Sequence, residues 1–350
     1  MKNPLNVMLI ALPIALYFEF SGGHHYGLIF VFSSIAMIPL ASILGHATEE
    51  VAAYTGPRIG GLLNATLGNA AELIITVVAL NKGLTAVVKA SIAGSILGNI
   101  LVVLGASLLL GGIKNGTQFF DSKVAGLNAS ILMLAIVALM VPAIFSLPVE
   151  GMRVTPDELQ FLSAGVAVTM IVMYVLYILY LLKGTGDVSS GGDTHHTASM
   201  PLSRAIIILV VATVGIVVMS ETLVGAIEPT TEAWGLSPVF VGVMLIPLIG
   251  NVAEHLVAVK VAMENKMDLS LGIALGSGLQ IALFVAPLLV IISEVLGKEM
   301  NLVFNPYEVI ALFGAGLIAV FVSSDGESNW LEGAQLISLY VIMGIAFYFV

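Results

Sequence analysis

Apolar stretches of about twenty residues follow one another along almost the whole chain, and they leave few architectures open. In a bilayer every backbone N–H and C=O must find its partner within the protein, so runs of this length cross as helices. Eleven are expected: Leu5–Phe20, Gly27–Tyr54, Gly61–Leu80, Ala86–Gly112, Val124–Phe145, Leu159–Leu182, Ser203–Ile227, Pro238–Met263, Leu269–Val295, Tyr307–Ser323 and Leu331–Val350. Of the 350 residues 59% are hydrophobic and only 10% charged, where a soluble domain carries about 25% charged residues. The sequence predicts an all-α membrane protein with eleven transmembrane helices.

The first run follows only Lys2 and shows no small-residue cleavage site, so it is expected to remain as a span. Lys183–Ser203, rich in Gly, Ser and Thr, reads as a flexible connector between two halves. The division is then an extra N-terminal helix at 1–26, a first five-helix repeat at 27–182, a linker at 183–202 and a second five-helix repeat at 203–350. A net charge of −10 argues against a nucleic-acid partner, and the absence of cysteine excludes thiolate metal sites and cysteine nucleophiles. With the N-terminus inside, Lys2, Arg58, Lys114, Lys123, Lys183, Arg204, Lys260 and Lys266 fall on the cytoplasmic side. Only Lys82, Lys89, Arg153 and Lys298 fall outside, which favours a cytoplasmic N-terminus and an external C-terminus in a cell membrane. Glu150, Asp157, Glu158, Glu228, Glu232 and Glu299 give the outer loops an acidic rim.

Two of the apolar runs contain the same polar pattern. Gly68-Asn69-Ala70-Ala71-Glu72 recurs 182 residues later as Gly250-Asn251-Val252-Ala253-Glu254, and the register holds to Gly94-Ser95 and Gly276-Ser277. A charged residue in a span costs about 2.5–3.5 kcal/mol on insertion scales. Two in duplicated contexts are better explained as one site built from two repeats. The copies fall in spans three and eight, an odd number of crossings apart, so the two motif helices run in opposite directions. That makes an inverted five-plus-five repeat, the architecture of transporters that alternate access around a central site.

Asn69 and Glu72 are three residues apart and share a helix face, as do Asn251 and Glu254. Gly68 and Gly250 remove bulk beside them, so that a neighbouring helix or an ion can approach. Carboxylate and amide oxygens converging from two such helices suit a hard divalent cation such as calcium, which takes six to eight oxygen ligands. Two neighbouring carboxylates in a low-dielectric medium also titrate as a coupled unit. One divalent ion or two protons neutralise the pair, and mutually exclusive occupancy of this kind is the basis of antiport. Glu72 and Glu254 are the expected metal and proton ligands.

A second set of polar residues surrounds these. Thr48, Glu49 and Glu50 end span two, and Ser220 and Glu221 lie in span seven; a gating or proton-carrying role for Glu49, Glu50 and Glu221 stands beside simple solvation. Ser95, Gly98 and Asn99 in span four are matched by Ser277 and, with changed chemistry, Gln280 in span nine; they line the site or glue helices together. His255, next to Glu254, is either a proton relay or a packing residue. Lys89 and Lys260 near span ends can snorkel.

GLLNATLGNAAELI at Gly61–Ile74, paired with IPLIGNVAEH at Ile246–His255, resembles the two motifs of the cation/proton exchanger family, within the calcium/cation antiporter superfamily. The resemblance covers the whole chain in length, span count and repeat spacing. It implies eleven helices with the first outside a pseudo-symmetric core of ten. It also implies exchange of calcium for protons through Glu72 and Glu254, with Asn69, Asn251 and the polar positions of spans four and nine as lining. The Thr-Ser-x-Pro-Glu pattern of the sodium/calcium branch is absent, which argues against sodium as counter-ion. No cofactor is implied, since calcium or a related divalent cation and protons are cargo; lipid is the surrounding partner, and association of copies stays open. A divalent cation channel is the alternative, although channels build their glutamate rings from several subunits. An intramembrane hydrolase lacks any His-Glu metal motif, so no enzyme is expected.

Overall fold

The computed structural model describes residues 4–148, 154–183 and 198–350, apart from the side chains at 4, 56–59, 61–62, 64–65 and 253. Lys2, Glu150, Arg153 and most of the expected linker, with Asp187 and Asp193, lie outside the described residues. A 3-10 segment, Pro4–Ile10, leads into α1 (Ala11–Phe20), followed by α2 (Tyr26–Leu67), α3 (Ala70–Asn81), α4 (Thr85–Leu97), α5 (Leu104–Asn115), α6 (Ser122–Phe145) and α7 (Pro156–Lys183). Then come α8 (Leu202–Trp234), the single turn α9 (Pro238–Phe240), α10 (Ile246–Met263), α11 (Met267–Gln280), α12 (Ala286–Val295), α13 (Pro306–Val322) and α14 (Trp330–Tyr348). Two short strands, β1 (Gln118–Phe119) and β2 (Glu327–Ser328), pair antiparallel.

Among the described residues seven helical segments are long and apolar enough to cross a membrane, and an eighth is broken into Pro238–Val252 and Glu254–Met263. Leu5–Phe20, Ala70–Asn81 and Pro306–Val322 are apolar but shorter. The expected third span, Gly61–Leu80, is not one helix. Its first residues continue α2 straight through Gly56-Pro57, and the break falls instead at Gly68-Asn69, inside the motif itself. Gly-Pro commonly ends a helix, because the residue before proline is pushed out of the helical region, yet the backbone stays helical through it here.

The long spans also depart from regular α-helix. Residues Gly98–Val103, Val241–Leu245 and Ile281–Val285 form π-helical turns, in which Leu104, Ile246 and Ala286 donate five residues back, to Asn99, Val241 and Ile281. In the last two a proline follows at once, Pro247 and Pro287, and has no N–H for the carbonyl four residues behind. Widening the ladder by one residue avoids that gap. Gly98–Val103 has no proline after it, and its widening has no such cause. Moved back by the 182-residue repeat spacing, Ile281–Val285 falls on residues 99–103, inside the first π turn.

Two compact units emerge, each drawing on both sequence halves: one from residues 1–88 and 194–254, the other from 89–193 and 255–349. In the first, α2 packs along α8, and α3 also packs on α8. In the second, α5 packs on α14, α6 on α11 and α13, and α7 on α12. Backbones approach where side chains vanish: a Cβ at Gly333 would lie 2.2 Å from the Leu109 nitrogen, so α14 and α5 touch through glycine.

Candidate functional site

The Gly68-Asn69 break makes α3 a half-helix whose first turn carries Glu72. Asn69 precedes the first turn with φ −93° and ψ 20°, and its side chain does not cap the helix. The opening N–H groups of a helix lack intrahelical acceptors, and the N-terminal end of its dipole attracts a carboxylate by about 0.3–1 kcal/mol. Glu72 is 5% exposed and Asn69 3%. The Glu72 carbonyl also accepts the Thr76 hydroxyl at 2.7 Å, one turn along α3.

Asn251, from the second copy of the motif, is 3% exposed and its Nδ2 donates to Glu72 Oε1. The glycine before it makes this approach feasible: a Cβ on Gly250 would lie 3.1 Å from Glu72 Cγ. The amide of one copy therefore holds the carboxylate of the other, although 179 residues separate them. Glu254 is half-buried, in α10 just after the break in that span. All these residues lie in the first compact unit.

The remaining expected residues fall into separate groups. In the second unit Asn99 Nδ2 donates to Ser277 Oγ at 3.1 Å, both residues nearly inaccessible, so the matched polar positions of α11 and the first π turn meet. Ser95 is buried one turn before Asn99, and Gln280 is half-buried at the end of α11. His255 Nε2 is buried and meets no hydrogen-bond partner among the described residues. Glu50 is fully buried and accepts from Ser199 N at 2.8 Å, Ser199 Oγ at 2.6 Å and Met200 N at 3.2 Å. Tyr54, one turn on, donates to the Met200 carbonyl at 2.6 Å, so α2 holds the strand of chain that enters α8. Glu49 is half exposed, with His46 3.9 Å from it. Glu221 is exposed, and its backbone carbonyl accepts Lys82 Nζ at 2.9 Å. Lys89 does more than snorkel: it donates to Asn301 Oδ1 at 2.6 Å and the Val303 carbonyl at 3.0 Å.

Sequence reasoning missed the π turns beside Asn99 and Gln280, the break within the first motif and the Lys82 contact. Pro247 and Pro287 signalled two of the π turns; Gly68 before a capping-type residue signalled the break. Nothing local to Lys82 announces a partner 139 residues away.

Apolar helices that break at a duplicated Gly-Asn motif, and bring the amide of one copy to the buried carboxylate of the other, are those of a multi-pass membrane protein with a polar site in its core. The chain belongs to the sodium/calcium exchanger protein family, whose pattern matches residues 25–183 and 204–349. It is 44% identical over 337 residues to a Ca(2+)/H(+) antiporter of Aphanothece halophytica, covering 92% of this chain and 90% of the relative. It is 42% identical over 326 residues to the Ca(2+)/H(+) antiporter ChaA of Bacillus subtilis, covering 91% and 92%. The solved structure of native YfkE superposes with a TM-score of 0.85 at 38% identity, covering 99% of this chain and all of that one.

Proposed function

We propose that this protein is a secondary antiporter that exchanges calcium, or a closely related divalent cation, for protons across a membrane. The observation that carries the reading is the Glu72–Asn251 contact between the two motif copies. Relatives named as Ca(2+)/H(+) antiporters at 42–44% identity over most of the chain supply the ion pair. Glu72 and Glu254 bind the cation or protons in alternation, and Asn69 and Asn251 supply amide oxygens or orient the carboxylates. Asn251 now points its nitrogen at Glu72; the same amide offers its oxygen to a cation when turned over. Gly68 and Gly250 keep the approach open. No catalytic residue is required, because the protein moves ions and breaks no bond.

Eleven crossings with a cytoplasmic N-terminus are part of the proposal. Counting each broken or short apolar helix as one crossing puts every loop contact on a single membrane side. Glu50 with Ser199, Lys89 with Asn301, Gln118 with Asn265, and the β1–β2 pairing each join ends that this count places together. The basic-residue distribution then sets the orientation.

Calcium-45 uptake into proteoliposomes under an imposed proton gradient tests the function. Uptake should saturate, depend on the gradient and be abolished by Glu72→Gln or Glu254→Gln in protein that still inserts and folds. Unsaturable, gradient-independent flux would favour a channel; normal uptake by both variants would refute the site.

A further inference from the structure

Glu72 opens α3, and the other end of that helix is fastened. Lys82 follows the last residue of α3, and its Nζ reaches the Glu221 carbonyl of α8 at 2.9 Å. A carbonyl inside a helix already serves the N–H four residues on, so a second donor needs open space beside the backbone. Gly225 provides it: a Cβ there would lie 3.1 Å from Lys82 Nζ and within 4 Å of no other atom outside its own helix. Four residues further, Pro229 lies inside α8 and carries no N–H for the Gly225 carbonyl. The ammonium therefore rests on α8 beside a glycine one turn before Pro229, in the same compact unit as Glu72 and Asn251.

We propose that Lys82 is a positioning residue for Glu72: its bond to α8 fixes the far end of the half-helix that presents the carboxylate to Asn251. The inference rests on the reading of Glu72 as the shared calcium and proton ligand. Ten residues of helix separate the two, about 15 Å at 1.5 Å per residue. A tilt of a few degrees about the far end then moves the carboxylate by roughly 1 Å, the scale on which misplacement at a site is costly. α3 already packs on α8, but apolar contacts slide, whereas an ammonium on one carbonyl sets a register.

Three variants test it. Lys82→Met keeps the chain length and removes the donors, Lys82→Arg keeps charge and donors, and Gly225→Ala crowds the ammonium while touching nothing else. Hydrogen–deuterium exchange of residues 70–81 in purified protein reports the clamp without reference to transport, and calcium-45 uptake reports its consequence. Lys82→Met should speed exchange in α3 and raise the half-saturating calcium concentration about two- to fivefold, as for loss of a solvent-exposed charged contact, with maximal rate nearly kept. Arginine should restore both. Gly225→Ala should shift both in the same direction, less strongly, and have no effect in the Lys82→Met background. Unchanged exchange in Lys82→Met overturns the clamp, as does faster exchange with unaltered half-saturation, or a Gly225→Ala effect that simply adds. If Glu72→Gln transports normally in the same assay, it is the role of Glu72 that has failed, and the exchange data still decide whether Lys82 holds α3.

Discussion

Replacing Gly250 by alanine is the sharpest test of the Glu72–Asn251 arrangement, because it adds one methyl group at a known place. The new Cβ would lie 3.1 Å from Glu72 Cγ and 3.9 Å from both Glu72 Oε1 and Ile75 Cδ1. Carbon atoms rest at about 3.5–4.0 Å, so Glu72 must retreat by roughly half an ångström. Cγ is not the free end of the side chain, and at 5% exposure the carboxylate has little room to swing. An off-rotamer shift of that kind costs about 0.5–1.5 kcal/mol. A cation held by Glu72 fixes the carboxylate more narrowly than the empty site does, so the displacement also takes a share of the roughly 1.5–3 kcal/mol typical of a bond to a charged group in the occupied state. A total of about 1–3 kcal/mol corresponds to roughly 5- to 150-fold in affinity. Alanine is meanwhile the better helix former by about 1 kcal/mol, so α10 itself should not be weakened. The assay is calcium-dependent uptake beside thermal melting: half-saturation should rise at least fivefold while the melting temperature holds. Unchanged half-saturation would show that Glu72 does not bind calcium from the position described. A collapsed melting temperature would show that the glycine serves folding instead.

Because protons and calcium share carboxylates, half-saturation for calcium should rise as pH falls from about 8 to 5.5, with maximal rate less affected; a flat profile would send protons by another route. Glu50→Gln should lower thermal stability by about 1.5–3 kcal/mol, since a neutral amide replaces a charged acceptor of three hydrogen bonds. Glu49→Gln, at a half-exposed site, should change melting little; equal losses in the two would contradict the anchoring contacts seen for Glu50. Asn99→Ala and Ser277→Ala each remove the same buried hydrogen bond, at about 0.5–1.5 kcal/mol, and the double variant should cost scarcely more than the worse single one. Fully additive melting shifts would mean the two residues act separately.

Much of the architecture was legible in the sequence because a bilayer leaves the backbone so little choice. Apolar runs had to be helices, and an intramembrane Asn and Glu repeated at one spacing had to be paired with something costly to replace. What the sequence left open was where each helix breaks. Gly56-Pro57 reads as a stop yet lies within α2, while the real interruption falls at Gly68-Asn69. A dipeptide signal states only a local preference, and the course of the backbone is decided by the helices on either side of it. The partners of the polar residues were equally hidden. Glu49 and Glu50 are neighbours of one type, but only Glu50 is turned toward Ser199 and Met200, a difference of one position on a helix face. Glu72 and Asn251 could be named from the motif; that the amide of one copy would donate to the carboxylate of the other followed only from α3 beginning at the break. Sequence periodicity sets which groups a span must hide. Which group each one meets depends on rotations and breaks of a few residues, and those are settled by packing between segments far apart in the chain.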